Sequence, residues 1–105
     1  RVRTRRGASV QEGPALMLPR EHRVAEIRRR LEAALAPVEL EVVDDSHKHV
    51  GHEGARDGRG HFSVRIRAEA FRGKPPLAQH RAVYAALGEL MSTDIHALAI
   101  QSGAP

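Results

Sequence analysis

The sequence predicts a small α/β domain of the α+β kind, ordered helix-strand-strand-helix-helix-strand around a three-stranded mixed sheet. Three observations carry this. One stretch has apolar residues at helical spacing, two short stretches alternate apolar with polar residues, and a long helical connection separates the second strand from the third. At 105 residues and 11.5 kDa the chain is large enough for one core and too small for two.

From Arg20 to Leu35 the residues Val24, Ile27, Leu31 and Leu35 form an apolar stripe, with Glu26/Arg30 and Arg28/Glu32 four apart on other faces. Pro37 ends that helix. Val38, Leu40 and Val42 then alternate with Glu39 and Glu41, the period of a strand with one wet face, and Asp44-Asp45-Ser46 close it with a capped turn. Phe62, Val64, Ile66 and Ala68 alternate with Ser63, Arg65 and Arg67 in a second strand, which should pair with the first as an antiparallel hairpin.

A short helix around Ala68 to Arg72 should break at Gly73. Lys74-Pro75-Pro76 then opens a longer helix, whose stripe of Leu77, Val83, Leu87, Leu90 and Met91 runs to Ser92. Ile95 to Gln101 reads as the third strand, with Ser102 to Pro105 fraying. The domain is therefore expected over residues 20–102, with residues 1–19 a disordered N-terminal extension and 103–105 a tail.

The composition is that of a globular domain, 41% hydrophobic and 29% charged, and no apolar run approaches the roughly 20 residues that span a bilayer. The pI of 10.6 suggests an anionic partner. The excess charge is local, however: residues 1–37 hold nine Arg against four Glu, and the rest of the chain is slightly acidic. Arg1, Arg3, Arg5 and Arg6 lie in a segment without apolar periodicity. It reads either as an arbitrary chain edge or as the remnant of a transit peptide, which would place the protein in a mitochondrion or plastid, and otherwise in the cytoplasm. Aromatic residues at 3% leave almost no platform for stacking single-stranded bases.

The chemistry is concentrated in the histidines. His47, His49 and His52 fall in a glycine-rich stretch, Ser46 to His61, that joins the first two strands. With no cysteine in the chain, any cluster with sulfur ligands must borrow them. The long helical connection favours a right-handed parallel crossover between strands two and three. Parallel strands start at the same end, so His96, at the start of strand three, should sit beside the histidine loop. Parity along that strand puts Leu98 and Ile100 on the side of His96.

Competing motifs fit less well. The spacing His47-x-His49-x-x-His52 has Gly51 where the metallo-β-lactamase pattern needs Asp, and the chain is too short for that fold. Gly51-His52-Glu53-Gly54 spells the phosphate clamp of KH domains but lies between strands rather than helices. The region 71–91 admits a helix-turn-helix reading, with Lys74, Gln79, His80 and Arg81 as the nucleic-acid-binding residues and Gln79, His80 and Arg81 exposed. No nucleophile elbow, Walker sequence or cysteine nucleophile supports catalysis.

The run Leu40-Glu41-Val42-Val43-Asp44-Asp45-Ser46-His47-Lys48-His49, the pair His61-Phe62, Phe71-Arg72-Gly73 through His80-Arg81, Tyr84, and His96-Ala97-Leu98-Ala99-Ile100 together resemble the BolA family. The resemblance covers residues 24–101. It implies a class II KH-like fold without a working clamp and a partnership with monothiol CGFS glutaredoxins in iron–sulfur cluster assembly, trafficking or iron regulation. It also implies a bridging [2Fe-2S] cluster held from one side by the glutaredoxin cysteine and a glutathione thiol. On the other side the resemblance implies His96 and a loop residue, either His49 or His52, with His47 a weaker candidate and His61 stabilising the start of strand two. The isolated protein is expected to be a monomer without a metal. The family commonly carries Arg-His-Arg at the entry to its long helix. Gln79 replaces the first Arg here, which weakens the alternative role in transcription regulation through DNA.

Overall fold

A computed structural model describes residues 17–46 and 58–105. A 3-10 turn, Arg20–His22, leads into α1 (Arg23–Leu35), followed by β1 (Glu39–Asp44) and β2 (Gly60–Arg67). A second 3-10 turn, Glu69–Phe71, precedes α2 (Pro76–Leu87), the short α3 (Leu90–Thr93) and β3 (Ile95–Gly103). The sheet order is β1-β2-β3, with β1 antiparallel and β3 parallel to the central β2. This is the mixed α+β architecture expected from the sequence.

The core follows the two periodicities. Ile27 and Leu31 of α1 meet Val83 and Leu87 of α2 over the sheet face that carries Phe62, Val64 and Ile66, and Phe71, Leu90 and Ile95 close the edges. On the opposite face of the sheet, Glu39 and Glu41 stand directly across from Arg67 and Arg65, at 3.2 and 3.6 Å. These exposed cross-strand pairs fix register more than they stabilise. The helix pairs read from sequence also form: Arg30 Nε lies 2.8 Å and Arg28 Nη2 3.2 Å from their glutamates. Because Arg29 and Arg30 both donate to Glu26, its carboxyl pKa is held down at about 2.

Five expectations are corrected. The long helix does not continue to Met91: Gly88, at φ 57, ends α2, and Leu90 enters the core from the separate α3. Leu77 is not part of the buried stripe but 61% exposed, because the face of α2 that turns inward carries Gln79, Val83 and Leu87, spaced four apart, and Leu77 lies off it. Gln79 is buried rather than exposed. Its Nε2 donates to the Lys74 and Phe71 carbonyls at 2.8 and 3.3 Å, and its Oε1 accepts from Ser102 Oγ at 2.6 Å. That last bond also explains why the chain end does not fray at Ser102. β3 runs on to Gly103, whose carbonyl accepts from Ala68 N at 3.1 Å, and Arg67 reaches the Ala104 carbonyl at 3.2 Å. At the other terminus the fold begins before Arg20, since Leu18 packs on the core and its amide donates to Asp94.

Candidate metal-ligand site at the start of β3

The site is built on an interruption in the β2–β3 ladder. Gly60 pairs with Ile95, but the next residue, His61, pairs with Ala97, so the register shifts by one and His96 is the extra residue of a bulge in β3. A bulge of this kind re-aims a side chain. Parity alone would have put His96 with Leu98 and Ile100. Those two residues pack against the core and Ile95 is buried, whereas His96 is exposed. Its ring stands beside His61, centroids 5.2 Å apart and tilted by 46°.

The strand that faces this bulge is clamped at its start. Ser46 Oγ accepts the His61 amide at 3.1 Å, Asp45 N donates to the His61 carbonyl at 2.7 Å, and Ser63 Oγ donates to Asp45. Ser46 N in turn donates to Asp44 Oδ1 at 2.8 Å, the capped turn read from Asp44-Asp45-Ser46. Gly60 is required by close approach. A Cβ there would lie 2.7 Å from the Phe62 ring and 2.8 Å from Ser46 Oγ.

Beneath the bulge lies a buried ion pair that the sequence reading did not identify. Arg23 Nε donates to Asp94 Oδ2 at 3.0 Å, and both side chains are almost fully enclosed. Arg23 Nη2 donates to the Gly58 carbonyl at 2.8 Å. Asp94 Oδ2 also accepts the Leu18 amide at 2.8 Å, its Oδ1 accepts from Thr93 Oγ1 at 2.6 Å, and its backbone carbonyl accepts the Gly60 amide at 2.8 Å. One signal for it was available: Arg23, Ile27 and Leu31 are spaced four apart, so an arginine lies on the buried stripe of α1 and needs an internal acid. Through this network Gly58, on the far flank of the histidine loop, is tied to Asp94, the residue two positions before His96.

His47, His49 and His52 lie outside the described residues. The residues flanking them, Ser46 and Gly58, are both held at the His96 end of the sheet by the bonds just given. Arg59, also absent from the sequence reading, reaches across to β3: its Nη2 is 3.2 Å from His96 Nδ1 and its Nη1 3.4 Å from the Ser92 carbonyl. Among the described residues no three His, Cys, Asp or Glu side chains gather into a metal site. What the chain offers there is imidazole nitrogen on an exposed surface and, having no cysteine, no thiolate. That donor set fits part of the coordination of one iron in a shared cluster.

The nucleic-acid candidates sit elsewhere. Gln79 binds Ser102, near the far end of β3, so the entry to α2 lies away from His96. Lys74 and Arg81 are exposed and His80 half-buried, while Gln79 points inward.

The fold defined here is an α+β domain with a mixed three-stranded sheet and its helices on one face. A family model described as BolA-like protein matches residues 31–105, and the chain belongs to that family. It is 43% identical over 84 residues to SufE-like protein 1, chloroplastic/mitochondrial, of Arabidopsis thaliana, covering 75% of this chain and 23% of that protein. The solved BolA domain of SufE1 superposes with a TM-score of 0.70 at 40% identity, over 84% of this chain and 95% of that one. Protein BOLA1, chloroplastic, of the same plant is 40% identical over 88 residues, 81% of this chain and 55% of that protein. The DNA-binding transcriptional regulator BolA of Escherichia coli is 41% identical over 76 residues, 72% of this chain and 70% of that protein. The chain thus spans well under two thirds of the two plant proteins.

Proposed function

We propose that this chain is a partner of a monothiol CGFS glutaredoxin, contributing histidines to a [2Fe-2S] cluster that bridges the two proteins. His96 supplies one ligand and either His49 or His52 the other, while the glutaredoxin cysteine and a glutathione thiol hold the second iron. The observation that carries the reading is the bulge, which displaces His96 from the packed face to the surface at the end of the sheet where both flanks of the histidine loop are anchored. Neutral imidazoles in place of thiolates make such a cluster less negative and raise its potential, as in Rieske centres. The chain's own residues bind and orient; none is assigned a catalytic step. The role is in cluster assembly, trafficking or iron regulation, in the mitochondrion or plastid, as the names of the plant relatives suggest. The free protein is a monomer without a metal, because its own ligands make only part of a site.

Titrating the protein into a cluster-loaded CGFS glutaredoxin with glutathione tests this. The expected result is a heterodimer on size exclusion and a changed visible circular dichroism spectrum. A mixture that elutes as separate components with the spectrum of the glutaredoxin alone would exclude the proposal.

A second reading, DNA-binding regulation, is favoured by the printed name of the Escherichia coli relative and by the exposed Lys74 and Arg81 near the entry to α2. Gln79, being internal, is not part of such a surface. Specific DNA binding should survive deletion of residues 1–13 and fall in Arg81→Ala. Loss on deletion alone would assign the binding to the basic tail.

A further inference from the structure

The contact between Arg59 and His96 has a chemical consequence for the ligand itself. A guanidinium has only donors, so at 3.2 Å from His96 Nδ1 it gives a hydrogen bond and the ring nitrogen accepts it. A neutral imidazole carries one ring proton. With Nδ1 accepting, that proton is on Nε2. In this state the Nδ1 lone pair is engaged and Nε2 has none to offer, so neither nitrogen is ready to bind a metal. Ligation through Nε2 needs its proton lost to solvent and one gained at Nδ1, which would set two N–H groups against each other while Arg59 remains. Ligation through Nδ1 needs the metal to take the position of the Arg59 N–H. Either route requires Arg59 to leave.

We propose that Arg59 is a latch on His96, holding the ring in the Nε2-protonated tautomer in the free protein and releasing it when the partner docks. The latch has a defined seat, because Arg59 also donates to the Ser92 carbonyl on the segment leading into β3. It sits one residue beyond Gly58, which Arg23 anchors, so its backbone is fixed relative to Asp94 and His96. The arginine is a positioning residue and not a ligand. The latch would keep a surface histidine from capturing stray divalent metal.

The inference rests on the cluster reading only for its effect on transfer, and the two parts are tested separately. Long-range nitrogen–proton correlation spectra of the free protein, with His96→Gln assigning the ring, should show His96 protonated on Nε2 in the wild type. In Arg59→Ala they should show a mixture of tautomers. An Nδ1-protonated ring in the wild type, or an unchanged pattern in Arg59→Ala, would overturn the latch. In stopped-flow mixing with a cluster-loaded glutaredoxin, Arg59→Ala should form the mixed species roughly 2- to 5-fold faster, the range set by releasing one exposed charged contact, and Arg59→Lys should lie between the two. A released tautomer with an unchanged rate would overturn the gating role. Absence of any mixed species with the wild type would instead remove the glutaredoxin reading, leaving the tautomer spectra to decide the latch.

Discussion

The two ends of β3 are built for opposite purposes. At its C-terminal end the strand is stitched down: Ser102 bonds Gln79, the Gly103 carbonyl takes the Ala68 amide, and Arg67 reaches Ala104. At its N-terminal end the bulge lifts His96 out of the ladder, and its exposed ring stands beside the half-buried His61 and meets Arg59. Beneath that exposed histidine lies the buried ion pair Arg23–Asp94. The lesson is a division of labour over three residues: Asp94 holds the fold, Ile95 fills the core, and His96 faces outward.

That contrast is broken most severely by removing the support of the exposed end. Asp94→Ala leaves Arg23 buried without its counter-charge and is expected to cost about 3–5 kcal/mol in urea denaturation. Replacing both partners together by apolar residues should recover most of the loss, whereas a single-variant cost below about 1 kcal/mol would contradict the burial of this pair.

At the stitched end, Gln79→Ala removes bonds to Lys74, Phe71 and Ser102 and should cost about 1–3 kcal/mol. Gln79→Arg tests the burial of this position directly. On an exposed nucleic-acid face it would be silent for stability, but in a buried position it should destabilise by a similar amount. A Gln79→Arg protein with wild-type stability would mean that the side chain is on the surface.

Gly60→Ala presses a methyl group onto Phe62 and Ser46 Oγ beside the bulge and should cost about 1–3 kcal/mol, with His61 and His96 ring signals displaced in NMR spectra. A smaller effect belongs to α1. The Glu26 pKa is lowered to about 2, below the ordinary 4.5 it regains on unfolding, so the unfolded chain binds more protons in that window. Stability from this group is complete above pH 4.5 and is lost as pH falls towards 2, and Glu26→Gln should flatten that part of the acid denaturation profile. Last comes His96→Ala, which should stay within about 0.5 kcal/mol of wild type, since an exposed residue outside the ladder supports little.

The order of elements, the strand pairing and the face of each strand were legible because they follow from apolar period and connection length. Ile27, Leu31, Phe62, Val64 and Ile66 are core residues for that reason. His96 was placed at the loop end of the sheet by the parallel crossover alone. Its direction was not legible, because a bulge of one residue leaves no mark in the alternation of Ile95 to Gln101. Gln79 was misread because a polar residue on an amphipathic helix is taken to face water, and its partners are backbone carbonyls and Ser102, which no periodicity indicates. Arg23–Asp94 was missed for the same reason across 71 residues. Arg59 escaped notice as one basic residue in a glycine-rich stretch.

Whether the surface position of His96 serves to ligate a shared cluster, as proposed, can be read at the ligand nitrogen itself. The chain, labelled with nitrogen-15 in its histidines, is assembled with an unlabelled cluster-loaded glutaredoxin and glutathione, reduced by one electron, and studied by pulsed electron paramagnetic resonance. The expected result is nitrogen-15 hyperfine coupling from imidazole directly bound to iron, with the His96 contribution absent in a His96→Ala protein that folds as well as wild type. A reduced mixed species without nitrogen-15 coupling, or with coupling unchanged by His96→Ala, would contradict the proposal.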